Sequence, residues 1–314
     1  MSAQSAMAAN VPTLGARPQS RKHQSRKAML IGIAFIAPNL LGFIVFFLGP
    51  MLYGLYISFT DWDLLNDPKW VGLDNYNTLI HDDLMWKSLK NTFIYCLVTI
   101  PGGMAVALSL AMAVKQAARL AVLYRSLMFL PVVTSTIAVA LVWKSVLNTD
   151  FGLLNWLLEF VGVSPIGWLS DTRWAMISVG LVAIWKNMGY NMVIFLAGLH
   201  AVPQHLYEAA AIDGAGAWRR FRNVTLPMIS PTLFFVLIVS VIGSFQVFDQ
   251  VYVLTDGGPG NSTVVYNYYL YQNAFEFFRM GYASAMAYAL FALIFLITVF
   301  QVKFLNKRVQ YDQM

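Results

Sequence analysis

The sequence predicts an all-α membrane protein of six transmembrane helices with both termini in the cytoplasm. Three observations carry this. The chain has 314 residues, of which 58% are hydrophobic and only 11% charged, where soluble domains carry about 25% charged residues. Its apolar residues are gathered into runs without Asp, Glu, Lys or Arg, at 28–60, 91–114, 126–143, 187–207, 223–248 and 280–302. Its basic residues alternate in density between the segments that join these runs.

A bilayer-crossing helix needs roughly 20 apolar residues, since each adds about 1.5 Å against a hydrocarbon core about 30 Å thick. Spans are expected at 29–49, with room to extend to 58, and at 91–114, 124–146, 174–198, 228–250 and 283–304. The fourth reaches sufficient length only by joining 174–185 to 187–207 across Lys186. Six such helices leave too little polar surface to clothe a soluble protein.

Positive charge resists translocation, so cytoplasmic segments gather Lys and Arg. Arg17, Arg21, Lys22, Arg26 and Lys27 precede the first span. Lys115, Arg119 and Arg125, then Arg219, Arg220 and Arg222, then Lys303, Lys307 and Arg308 fall on the same side. That side holds fourteen of the twenty-one basic residues. Twelve of the fifteen acids lie on or near the other. The net charge of +6 follows from this bias and requires no nucleic-acid partner. The uncharged run at the N-terminus is 33 residues long with no A-x-A-like cleavage site, so an uncleaved first span is expected rather than a signal peptide. Residues 1–28 read as a disordered cytoplasmic tail, 29–308 as the membrane domain, and 309–314 as a C-terminal tail. Cys96, the single cysteine, lies within a span and reads as packing.

The outer connections carry short helices. Leu153, Leu154, Leu157, Leu158 and Val161 recur at helical spacing in the loop 147–173. "TDGGPGNST" in the loop 251–282 is turn chemistry. Ala105, Ser109 and Ala113 give the second span a face of small residues for close helix approach. Pro38, Pro101 and Pro131 lie within spans and are expected to do no more than bend them.

Several chemistries are missing. There is no G-x-x-x-x-G-K-[ST] phosphate loop and no G-x-S-x-G. The four histidines have no metal-ligand spacing, and no metal site is expected. Asp249 is the only acid in a predicted span. Proton-coupled carriers rely on intramembrane carboxylates, so a secondary carrier is disfavoured.

One cytoplasmic segment stands apart: "LYEAAAIDGAGAWRRFRNVTLP", Leu206 to Pro227. Pro203 can open a helix over "PQHLYEAAAI". Asp213-Gly214 is a turn in which glycine permits positive φ. "AWRRFRNV" then forms a second short helix, which Leu226-Pro227 ends. Trp218 and Phe221 share a face. Such a surface suits a helix laid in a partner's groove, or an amphipathic connector with its arginines on lipid head groups.

The stretch "EAAAIDGAGAWRRFRNVTLPMISP" resembles the E-A-A-x-x-D-G-A…L-P loop of permease subunits of binding-protein-dependent ABC importers. Glu208, Ala209, Ala210, Asp213, Gly214, Ala215, Phe221, Leu226 and Pro227 fall on the pattern. "WVGLDNYNTLI", "LVWKSVLNTDFGLLNWLL" and "VLTDGGPGNSTVVYNYYLYQNAF" resemble sugar permeases of the maltose and glycerol-3-phosphate type, and the first of the two permeases such importers pair. The resemblance covers about residues 30–308.

It implies the type I ABC importer permease fold in a bacterial inner membrane, with a coupling loop at 203–227. It implies a second permease subunit, a cytoplasmic ATPase dimer that binds ATP and Mg, and an extracytoplasmic sugar-binding protein. The chain itself would be non-catalytic and hold no cofactor. Glu208, Ala209, Ala210, Asp213, Gly214, Ala215, Trp218 and Phe221 would dock the ATPase. Within this, Glu208 would form a charge pair, and Asp213 would cap the second helix or stabilise the turn. The sugar path is expected along the fourth and fifth spans, at Lys186, Asn187, Tyr190, Asn191, Ser240, Gly243, Ser244, Gln246 and Val247. A lysine near mid-span costs about 2.5–3.5 kcal/mol to insert, so Lys186 should face a wet cavity or a partner. A phosphorylated polyol such as glycerol 3-phosphate is the alternative cargo, for which Lys186 would be a natural partner.

Overall fold

The computed structural model describes residues 21–117 and 120–305. Contacts divide the chain into a unit of residues 1–54 and a unit of residues 55–314. The described part of the first is α1 (Arg21–Phe43), a π-helical turn at Ile44–Leu48, and the start of α2 (Gly49–Ile57). Helix therefore already begins at Arg21, within the segment expected as a disordered tail. Residues 1–20 and 309–314 lie outside the described residues. The continuous apolar stretch Ile31–Ile57 is long enough to cross a bilayer, which favours the extended form of the first span.

In the second unit, a two-residue antiparallel pair, β1 (Thr60–Asp61) with β2 (Lys69–Trp70), precedes α3 (Asp74–His81). The remaining helices are α4 (Asp83–Gln116), α5 (Ala121–Val133), α6 (Thr136–Val146), α7 (Leu153–Phe160), α8 (Ala175–Ala201), α9 (Gln204–Ile212) and α10 (Ala217–Arg220). They continue with α11 (Leu226–Met228), α12 (Ser230–Phe245), α13 (Asp249–Leu254), α14 (Tyr266–Tyr271) and α15 (Met280–Leu305). Four continuous helices and two bent pairs account for the six predicted spans.

Three expectations are corrected. The second span begins at Asp83, eight residues before its apolar run, because Asp82 caps it: Oδ1 accepts from the backbone N–H of Leu84 and Met85 at 2.9 and 3.1 Å. The third span is two helices, α5 and α6, bent by 96°. Pro131 has no N–H to continue the ladder, Thr134 and Ser135 are extended with ψ of 149° and 132°, and the Thr134 hydroxyl donates to the Pro131 carbonyl at 2.7 Å. The proline therefore accompanies a break, not a bend. In the fifth, Leu226-Pro227 does not end the preceding helix. That helix runs to Met228, and a 69° bend follows at Ile229, where Pro231 lacks the next N–H. The same span stops at Phe245, and Asp249 opens a separate short helix.

α4 and α8 form the most extensive helix pair. The face of α4 that packs is Gly103, Ala107, Ala111 and Val114, all buried. Ala105, Ser109 and Ala113, the expected contact stripe, lie on its exposed side. Two apolar clusters result. One gathers the outer halves of α4, α8 and α12 with α13 to α15, around Tyr95, Val179, Phe245, Val251, Tyr266 and Met286. The other gathers their cytoplasmic halves around Ala107, Met192, Phe195, Leu199 and Val236, and reaches Tyr207 and Phe221.

At the outer end, Asp82 also draws in α14 and α15. Its Oδ2 accepts from the hydroxyls of Tyr269 at 2.7 Å and Tyr282 at 2.6 Å. Partial burial pushes its pKa up, but the two phenols and the two backbone donors outweigh this and hold the carboxyl below its ordinary value.

Candidate functional site

Two sets of residues singled out in the sequence form two separate places. The first is the loop of α9 and α10. α9 ends in a glycine C-cap: Gly214 N–H donates to Ala211 O at 3.1 Å and Ala215 N–H to Ala210 O at 2.9 Å, the paired bonds of a Schellman motif. Gly214 has φ +74°, and a Cβ there would meet nothing within 4 Å. The backbone angle, not lack of space, requires glycine. Gly216 precedes α10, and no side chain caps that helix. Asp213 is therefore not its cap; it is the last residue before the turn, and its side chain is exposed. Glu208 and Ala209 are exposed, Ala210, Ala215 and Phe221 are half-buried, and Trp218 is 72% exposed. Trp218 and Phe221 lie 5.5 Å apart between ring centroids, so the expected shared face is present.

Tyr207 and Thr225, not singled out in the sequence, tie the two short helices together. Their hydroxyls lie 3.1 Å apart. Lys115 of α4 sits over the Tyr207 ring at 5.2 Å and donates to Leu199 O at 2.8 Å near the end of α8. The loop is thereby fastened to the membrane domain by a span that the sequence leaves unconnected to it.

The second place is a cavity of about 380 Å³ in the second unit. Lys186, Asn187, Tyr190 and Asn191 of α8, and Ser240, Gly243, Ser244, Gln246 and Val247 of α12 and the turn beyond it, all line it. Tyr95, Thr99, Thr136, Phe248, Asp249 and Gln250 also line it. Tyr95 and Thr99 stand four apart on α4, a polar pair at helical spacing that could have flagged them. Some polar groups are spent on the protein. Tyr95 OH donates to Gln250 Oε1 at 3.2 Å, Asn187 Nδ2 to Ala183 O at 3.0 Å, and the Thr99 and Ser244 hydroxyls lie 3.3 Å apart. The side chains of Tyr190, Asn191, Ser240, Gln246 and Asp249 have no hydrogen-bond partner among the described residues. A pocket with an apolar frame and a few unspent amide and hydroxyl groups can hold a small polar molecule in a fixed orientation.

The family described as binding-protein-dependent transport system inner membrane component matches residues 103–311, more than half of the chain. The chain belongs to this family. As an ABC permease subunit it is an integral membrane protein, not a soluble enzyme. It is 39% identical over 303 residues to "Probable ABC transporter permease protein YesP" of Bacillus subtilis (strain 168), covering 95% of this chain and 97% of that protein. It is 36% identical over 289 residues to the lactose transport system permease protein LacF of Rhizobium radiobacter, covering 90% and 96%. The same permease fold appears in a crystal structure of bacterial alginate ABC transporter in complex with alginate pentasaccharide-bound periplasmic protein. The match there has a TM-score of 0.81 at 22% identity and covers 93% of this chain and 99% of that one.

Proposed function

We propose that this permease forms, with a second permease subunit, the membrane pathway of an ATP-driven bacterial importer for a sugar. The cargo reaches it from a binding protein outside the cytoplasmic membrane. The observation that carries the cargo side is the convergence of eight polar or small residues, with Val247, from α8 and from α12 and the turn beyond it on one cavity of about 380 Å³. The likeness to a lactose permease favours a saccharide, whose hydroxyls match the unspent groups of Tyr190, Asn191, Ser240 and Gln246. On the cytoplasmic side, α9 and α10 dock a separate ATPase subunit that binds ATP and Mg. Glu208 and the exposed Trp218 face that partner, and the hydrogen bond between Tyr207 and Thr225 makes the two helices move as one piece.

The test is uptake of radiolabelled lactose, maltotriose and glucose by cells carrying the complete importer, beside affinity purification of this subunit. Asn187→Ala and Asn191→Ala should lower uptake while the ATPase still co-purifies. Unchanged uptake in both variants would remove the cavity from the pathway. Purification without any ATPase would overturn the importer reading itself.

A further inference from the structure

Three helical lysines, Lys186 buried, Lys115 half-buried and Lys144 exposed, share a habit. Lys115 donates to Leu199 O at 2.8 Å, within the last turn of α8. Lys144 donates to Val253 O at 3.0 Å, within the last turn of α13. Lys186 is only 7% exposed, and its Nζ lies 3.5 Å from Val132 O and 3.4 Å from Thr134 O, at the end of α5. In each case a lysine on one helix reaches the terminal carbonyls of another. Leu199 O, Val253 O and Val132 O have no intrahelical donor and form the negative ends of their helix dipoles, while Thr134 O belongs to the extended residue just beyond α5. At the break of the third span, away from the membrane ends, such carbonyls need a protein group or cavity water to satisfy them.

The end of α5 is the 96° elbow of the third span. It is held against α8 at a second point one turn away. A Cβ on Gly189 would run into the carbonyl of Met128, so only glycine lets the two backbones meet there. Lys186 and Gly189 stand three apart on α8 and face the same stretch of α5. One supplies the donors for the broken end, and the other the close approach.

The geometry points to Lys186 as a positioning residue: its ammonium caps the broken third span and sets the elbow that places Thr136 on the cavity wall. This differs from a cargo ligand, which would leave the elbow unchanged when removed. It also explains how a lysine is tolerated near mid-span with no carboxylate partner among the described residues.

The elbow can be measured without knowing the cargo. Spin labels at Val122→Cys and Leu141→Cys, both exposed positions on its two arms, are introduced in a Cys96→Ser background of the assembled importer. Backbone positions so placed are about 20 Å apart across a 96° bend, and about 28 Å apart in a straight helix, at about 1.5 Å per residue. Lys186→Met, which keeps length but removes the donors, should lengthen or broaden the distance distribution. Lys186→Arg should restore it. If Lys186→Met fails to accumulate, accumulation of Lys186→Gln and Lys186→Arg to at least about fivefold higher levels supports the cap. A wild-type distribution in Lys186→Met, or equal loss of all three variants, would overturn it.

Discussion

The loop of α9 and α10 and the cavity between α4, α8 and α12 are built on opposite plans. The loop is one contiguous stretch whose defining residues are exposed or half-buried, and its shape is fixed by bonds between neighbours, Gly214 to Ala211 and Ala215 to Ala210. The cavity takes groups from residues as far apart as Tyr95 and Gln250, and exists only once three helices have packed. Local chemistry therefore makes the first, and tertiary packing makes the second. Damage to the loop should abolish its function while sparing the fold. Damage to the cavity should be graded by how much packing it disturbs.

The largest effect is expected at Gly214. Valine there must adopt φ near +74°, which costs about 1–3 kcal/mol for a non-glycine residue. Gly214→Val should abolish co-purification of the ATPase and uptake, with the subunit still inserted. Glu208→Ala should lose most uptake with the fold unaffected, since Glu208 is exposed. A protein with normal uptake in both variants would show that the loop and its proposed partner are unconnected. Next comes Gly189→Leu, which drives a side chain into the α5 backbone. Overpacking costs about 1–3 kcal/mol, and should appear as a lower melting temperature of the assembled complex. Gly243→Ala is the counterpart: a methyl there meets nothing within 4 Å. Melting should be unchanged while sugar uptake falls by a few-fold, because the methyl occupies cavity space. The smallest effect is at Asp82. Its carboxyl is held below the ordinary value in the folded state, so its stabilisation is complete above about pH 4 and is lost as pH falls through the lowered value. Asp82→Asn should flatten the acid limb of the stability curve, read by thermal melts from pH 6 down to pH 3, by lowering the neutral melts slightly and leaving the melts at pH 3 little changed.

The difference between the two plans also sets what the sequence could reveal. The loop was legible in detail because helix, turn and helix are spelled by adjacent residues. Of the two roles expected for Asp213, the cap fails because Gly216 sits at the helix start, and the expected helix end at Leu226-Pro227 lies instead at Met228. The cavity residues of α8 and α12 were legible as polar interruptions in apolar runs. Thr136 was not, and Tyr95 and Thr99 showed only a polar pair at helical spacing, since which face of a helix meets another is set by the partner. The exposed stripe of Ala105, Ser109 and Ala113 makes the same point, for small residues permit close packing and do not dictate where it occurs. Hydropathy counted the third and fifth spans correctly but could not see their breaks. An apolar run reads alike whether straight or bent by 96°.

α8 carries one more consequence. It is a single unbroken rod of 27 residues, with the cavity groups near its middle and only Val202 and Pro203 between its end and α9. At about 1.5 Å per residue it is about 40 Å long. Tilted about its far end by about 5°, its cytoplasmic end would travel about 3.5 Å, and the cavity groups near its midpoint about half as far. A helix of this kind works as a tiller. A sideways push at its cytoplasmic end would arrive at the cavity wall reduced in amplitude, with no joint within the helix to absorb it. The joints lie in the spans around it, where α5 meets α6 and α11 meets α12.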